Sequence, residues 1–510
     1  MVDIQSQFLS ARNRGVPLLG IITADPASTV SWIHLLVSSD LPIVQWDSAR
    51  GLLGVNRSGG SVLMQISGVE DLSSLKNLTQ DSVNALDIIQ KLPEQSVAIF
   101  LNLPSHWHHP EVSQSVWNCR DQFKLDRRTL VILAPDITPP SILHHDLVVW
   151  EEPLPTDDQI GKIAHELYEA GGLVTLDAKT EQRICETVRG LPAFAAEQAI
   201  ALSLNGKGVK FDVLWHHKKR MIENTPGLTV YSGGETLGDL AGLDQVKKFV
   251  AGLFGGPKPP KAIIYVEEIE KMFAGASSDH AGDGGVAKDS LQNILTEMEN
   301  NDWSGLISVG PPGSGKSLLS KAIGATYDVP TIAFDLGATR TSLVGESEQA
   351  VRACFRVLRA IAGDGAFWVA TCNKYETLPP ELKRRFRYGI WYTGLPDHHE
   401  LQAIWDIQRL RYRIDPGDQR PTGVRFSGAD VRNVCEIASR LQISLVEAAS
   451  YIVPVSVSDP ASIIKLEEAA NGRFLSASYP GTYDKNRVYG DRPTENVGSP
   501  RVRALRQMEL

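Results

Sequence analysis

Several things are scarce in this chain of 510 residues. Cysteine is rare, with five in all, and Cys119, Cys185, Cys354, Cys372 and Cys435 are scattered with no C-x-x-C pair. An odd, dispersed set does not read as a disulfide framework or a zinc site; it fits reduced thiols in a cytoplasmic protein. No apolar run approaches the ~18 residues of a membrane span. The first residues, Met1-Val2-Asp3-Ile4-Gln5, lack the basic and then apolar regions of a secretory leader, so none is expected. Positive charge is in deficit. The formal net charge of −9 argues against a large nucleic-acid surface. His106-Trp107-His108-His109 has no cysteine or carboxylate at ligand spacing and reads as a surface turn rather than a metal site. The basic run His216-His217-Lys218-Lys219-Arg220 reads as a solvated helix face.

What is present points to several domains of ordinary soluble composition, with 42% hydrophobic and 22% charged residues. In residues 1–155, apolar runs at 17–23, 41–46, 96–103 and 129–134 alternate with helical patterns, which predicts a parallel α/β domain. The turn after the first run, Thr23-Ala24-Asp25-Pro26, has no Gly-Lys-Ser, and the third run ends in Asn102-Leu103 rather than acids. This domain is expected to carry no ATP chemistry. Residues 156–230 read as a helical linking region around Gly190-Leu191-Pro192.

The second half differs. Gly310-Pro311-Pro312-Gly313-Ser314-Gly315-Lys316-Ser317 fits G-x-x-x-x-G-K-[ST], between the apolar run 305–309 and a helix that begins Leu318-Leu319. Glycines let backbone N–H groups close on phosphate, and the helix start adds partial positive charge. Lys316 is expected to reach the β/γ phosphates of ATP, and Ser317 to ligate Mg²⁺. The run 261–266 ends in Glu267-Glu268, the form of a Walker B segment. Glu267 would hold Mg²⁺ and Glu268 would polarise the attacking water. Asp335 is the other downstream strand-end acid, though its strand reads better as leading to the Leu343 loop. The run 366–372 ends in Asn373, and Leu378-Pro379-Pro380-Glu381-Leu382 precedes Arg384-Arg385.

Taken together, residues 237–453 resemble an AAA+ ATPase. Glu268-Ile269-Glu270-Lys271 and Leu378-Pro379-Pro380-Glu381-Leu382 are most similar to the AAA+ proteins that cyanobacteria and chloroplast genomes encode as a hypothetical reading frame. The resemblance implies an α/β fold: a P-loop AAA+ parallel-sheet core at 231–395 with a helical lid at 396–478. A degenerate AAA-like α/β domain precedes it. Composition predicts a disordered polar tail at 479–510, with Arg501, Arg503 and Arg506. The resemblance implies that Asn373 is sensor 1, and that one of Arg384 and Arg385 is a finger reaching a neighbour's nucleotide. Asp239 and Ala241 would lie on the adenine side, and Gly428 and Ala429 at the lid helix that closes on the nucleotide. Leu343-Val344-Gly345 would be pore loop 1, and the small, polar loop 275–285 would face the pore.

The same resemblance implies a homo-oligomer, with a hexameric ring favoured, that remodels a protein client using ATP and Mg²⁺ in the cytoplasm. An ATP-gated scaffold and a nucleic-acid-stimulated ATPase are the alternatives. One departure is large. The Walker B segment and its following helix, 288–299, precede the phosphate loop, so two neighbouring blocks are exchanged, a local circular permutation. Strand positions follow pairing and buried faces rather than chain order, so a sheet can survive the exchange.

Overall fold

The computed structural model describes residues 4–69, 71–173, 175–273, 284–335, 337–339 and 344–487. The chain divides into two compact units, Met1–Phe211 and Asp212–Leu510.

The first unit is built on β1 (Leu18–Ile22), β2 (Ile43–Asp47), β3 (Gly51–Gly54), β4 (Val97–Leu101), β5 (Thr129–Ala134) and β6 (Val148–Glu151). Their order across the sheet is β3-β2-β4-β5-β1-β6. Only the β2–β3 pair is antiparallel. Helices cover both faces, so central strands are apolar throughout rather than alternating; all six residues of β5 are buried. A two-stranded hairpin, β7 (Leu204–Asn205) with β8 (Gly208–Val209), ends the unit.

The second unit holds β9 (Leu228–Val230), β10 (Ala262–Val266), β11 (Ser304–Val309), β12 (Thr331–Phe334), β13 (Ala366–Cys372), β14 (Ile390–Tyr392) and β15 (Leu475–Ser476). Their order is β15-β14-β11-β13-β10-β12-β9. All pairs are parallel except β9 with β12. β13 is buried at all seven positions and lies between β10 and β11. One face is sealed by Trp303, Phe334, Phe355 and Trp368 in mutual ring contact. A separate cluster around Trp405, Phe426 and Val434 forms the core of the helical region that follows β14.

Three sequence expectations shift. The second unit begins at Asp212, ahead of the boundary at 231, because Ile222, Leu228 and Val230 pack into its core and β9 pairs with β12. The tail expected from 479 is ordered through Arg487. Tyr483 exchanges backbone hydrogen bonds with Phe474 and Gly472, and its ring lies 4.3 Å from that of Tyr392. Polar composition hid those two anchoring tyrosines, Tyr479 and Tyr483. In the basic run, Lys218 is buried, its ammonium 5.6 Å from the centre of the Trp215 ring, so that face is only partly solvated. Leu343 and residues 275–283 lie outside the described residues, as do Arg501, Arg503 and Arg506; Gly284 opens the helix Gly284–Asn300.

Candidate active site

Register decides what meets at the carboxyl end of the second sheet. Val266 of β10 lies beside Ala370 of β13, and Ala370 beside Ile307 of β11. The residues just after β10 therefore sit level with the end of β11, where the glycine loop begins. This is the edge at which open α/β sheets bind ligands.

The loop leads into the helix Lys316–Tyr327. Gly313 and Gly315 have φ of +78° and +92°, a region that a Cβ makes costly. A Cβ on Gly310 would lie 2.0 Å from the Thr393 carbonyl, so only glycine lets the loop approach β14. Thr393, the residue after β14, pins the loop: its hydroxyl accepts from Ser314 at 3.3 Å and donates to the Val309 carbonyl at 3.2 Å. The Lys316 ammonium is buried and donates to the Gly310 and Pro311 carbonyls at 2.7 and 2.8 Å. Burial lowers its pKa to about 8, against a smaller upward pull from Glu270, Cys372 and Glu268. The loop is thus a cradle with its cation folded back on itself. Pro312 is exposed at its rim.

The two acids after β10 take different partners. Glu267 Oε1 accepts a hydrogen bond from the Ser317 hydroxyl at 2.9 Å. Glu268 sits at φ +47°, held by its backbone N–H donating to the Thr371 hydroxyl at 2.9 Å. Its carboxylate accepts from the Asn373 side-chain amide at 2.8 Å and pairs with Lys271. Glu270 accepts from the Asn373 backbone N–H at 2.8 Å, fixing the strand end that carries that amide. Burial, then the Glu270 carboxylate, pushes the Cys372 thiol up, so it is inert as a nucleophile. Among the described residues no group of three or more His, Cys, Asp or Glu is arranged to hold a metal. The protein's share of a cation site is therefore the oxygen pair Ser317 and Glu267, which suits a hard ion that takes its remaining ligands from phosphate and water.

A cleft of about 300 Å³ opens beside the loop. Gly313, Ser314, Gly315, Lys316, Ser317 and Leu318 line its phosphate end. Asp239 and Ala241 line a second wall, and Gly428 and Ala429 a third. The lid helix Gly428–Leu441 is set by a capping box between Ser427 and Asp430, and the Ala429 N–H donates to the Gly313 carbonyl at 3.2 Å. Arg384 and Arg385 do not line this cleft; Arg385 pairs with Glu299 at 2.6 Å, and Arg384 is exposed.

Sequence reading missed the residues contributed from afar. Glu400, N3 of the capping box that opens the helix His398–Tyr412, reaches across to accept from the Leu243 N–H at 3.3 Å. It thereby ties the lid to the 239–243 loop. The S/T/D-x-x-E signature of Asp397 and Glu400 marks the helix start, but nothing in it signals the second bond. Ile404, Ile407, Gln408 and Arg411 from the same helix, and Arg432 from the next, also line the cleft. The period of 400, 404, 407, 408 and 411 is an amphipathic stripe that was available to be read.

Comparison with known proteins places these features. Residues 5–151 match the family described as SpoVK-like AAA ATPase, N-terminal domain. Residues 306–364 match the AAA family, ATPases associated with various cellular activities; that match runs from within β11 to just past the helix Val344–Ala362 and does not include β10. The uncharacterized AAA domain-containing protein ycf46 of Guillardia theta is 22% identical over 461 residues, covering 78% of this chain and 84% of its own. Its counterpart in Gracilaria tenuistipitata var. liui is 21% identical, covering 79% and 88%. The peroxisomal ATPase PEX6 of Yarrowia lipolytica is 25% identical over 219 residues, 31% of this chain and 21% of its own. Mixed α/β units with parallel sheets, a phosphate loop and these matches relate the chain to the AAA+ ATPases, and over most of its length to the ycf46 AAA-domain proteins at about 22% identity.

Proposed function

We propose that the second unit is a Mg²⁺-dependent ATPase whose core is locally permuted, so that Glu267 and Glu268, encoded ahead of the phosphate loop, act on the triphosphate that the loop holds. The observation that carries this reading is the paired contact of the two acids: Ser317 to Glu267 at 2.9 Å and Asn373 to Glu268 at 2.8 Å.

The roles follow from chemistry. N–H groups of the loop and the helix N-terminus hold the β and γ phosphates. Lys316, which spends its protons on two loop carbonyls, turns them to the β/γ oxygens. Ser317 and Glu267 hold the cation, which when bound neutralises charge on those oxygens. Glu268 accepts the proton of the attacking water, and Asn373, bonded to Glu268, orients the base. The contact with Lys271 competes for the same carboxylate, so Glu268 must leave it to work at full basicity.

Arg384 and Arg385 lie off the chain's own cleft, which supports their acting on a neighbour's nucleotide in a homo-oligomer, with a hexameric ring favoured. Coupling to remodelling of a protein client is carried by the family resemblance. All five cysteines are free and buried, which supports a reducing compartment, the cytoplasm. Among the described residues no helix is long and apolar enough to cross a membrane.

The test is Glu268→Gln. Phosphate release should fall by about 10²–10⁴-fold while ATP affinity is retained. Unchanged turnover would remove Glu268 as the base and with it the permuted reading.

A further inference from the structure

The cleft contains an acceptor that the phosphate chemistry does not use. On the helix His398–Tyr412, Gln408 follows Ile407 and lies four residues after Ile404, so the three side chains share one face. All three line the cleft, together with Leu240 and Ala241. Gln408 is only 9% exposed, and its Oε1 is enclosed without a hydrogen-bond partner among the described residues. A buried carbonyl oxygen left unpaired is destabilising unless a ligand supplies a donor.

The class of donor can be narrowed. Phosphate oxygens only accept. A nucleotide's donors are its ribose hydroxyls and the exocyclic amine of its base. Around Gln408 the walls are the apolar side chains of Leu240, Ala241, Ile404 and Ile407, at the opposite side of the cleft from the Lys316 cradle in chain and element. Such walls suit a flat base better than a sugar. Adenine presents an N–H₂ group at its six position, whereas guanine presents a carbonyl oxygen there. Oxygen facing oxygen would leave two acceptors without a proton between them.

We propose that Gln408 is the base-specificity residue of this site: its Oε1 accepts a hydrogen bond from the exocyclic amine of adenine and rejects guanine. The proposal rests on the ATP reading above, and the experiment separates the two. ATP, GTP and 2′-deoxy-ATP compete with a fluorescent ATP analogue for the full chain, for Gln408→Leu and for Gln408→Glu. Wild type should prefer ATP over GTP. Gln408→Leu should lose that preference by about tenfold or more while still binding nucleotide, because the site then lacks the group that guanine leaves unpaired. Gln408→Glu, which presents only acceptors, should keep it. The ratio of ATP to 2′-deoxy-ATP should be the same in all three.

An unchanged ATP/GTP ratio in Gln408→Leu overturns the proposal and leaves the ATP reading standing. So does a change confined to the 2′-deoxy-ATP ratio, which would assign the oxygen to the ribose. A wild-type chain that binds none of the three overturns both. If Gln408→Leu does not fold, the glutamate variant decides alone: loss of the ATP preference there refutes an acceptor role.

Discussion

The two sheets agree in space and differ in thread. Taken from β6, the first reads β6-β1-β5-β4-β2-β3; taken from β14, the second reads β14-β11-β13-β10-β12-β9, with β15 added outside. Each ends in an antiparallel edge pair, β2–β3 and β12–β9. The chain visits the first in ascending order from the β1 position, but enters the β10 position of the second before β11. Pairing and burial, not sequence order, thus define the architecture, which is the physical basis of the proposed exchange of blocks.

Corresponding points differ in chemistry. After β11 comes a glycine cradle; after β1 comes Asp25, whose carboxylate accepts from the Ser28 N–H and caps the helix Pro26–Leu36. Pro26 removes a further N–H from that turn. The helix end that the second unit offers to phosphate is already closed by an anion in the first. At the tip of β4, Asn102 adopts φ +56°, as Glu268 does at +47° just past β10, so the bend persists while the acid is gone. The residue after the fifth-position strand ties down the first-position turn in both: Thr393 to the phosphate loop, and Glu152 to Thr29 and Trp32 at 2.6 and 2.8 Å. The first unit therefore retains the frame of a nucleotide site with its opening filled.

The contrast can be broken in several ways. Between β5 and β6, residues 135–147 contain no arginine or lysine, whereas Arg384 and Arg385 precede β14. Replacing both with alanine should slow ATP turnover by about 10³-fold and leave nucleotide binding in place, if they act across an interface. Full turnover in the double variant would remove the shared-site reading. The next effect is a pH dependence. Lys316 has its folded pKa lowered to about 8, so above that pH the empty site loses the ammonium that phosphate needs. ATP affinity should be flat below pH 8 and weaken by about tenfold per unit above it, with proton uptake on binding. By the same sign, Lys316 destabilises the empty fold below its folded pKa, and this cost is relieved as pH rises from 8 toward the unfolded value. An affinity constant to pH 9.5 would show that burial does not depress the group. The smallest effect belongs to the first unit. Asp25→Ala should lower stability by about 1 kcal/mol in denaturant unfolding, through the lost cap, with turnover untouched.

The phosphate loop, the two acids and Asn373 were legible because each lies within a few residues of the strand that positions it. The α/β alternation of the first unit was legible for the same reason. Glu400, Gln408, Thr393 and Arg432 were not, because they reach the cleft only after the lid and β14 have packed. The start of the second unit was misread because β9 is three residues long and gains its meaning from pairing with β12. Tyr479 and Tyr483 were hidden in a stretch whose average composition is polar.

The account's central claim is that a chain with two like-ordered sheets has one working nucleotide site, in the second. Counting bound ATP by equilibrium dialysis on the full chain tests it most directly. One nucleotide per chain is expected, with Lys316→Ala abolishing it through an affinity loss of about 100-fold or more. Two nucleotides per chain, or one that survives Lys316→Ala, would contradict it.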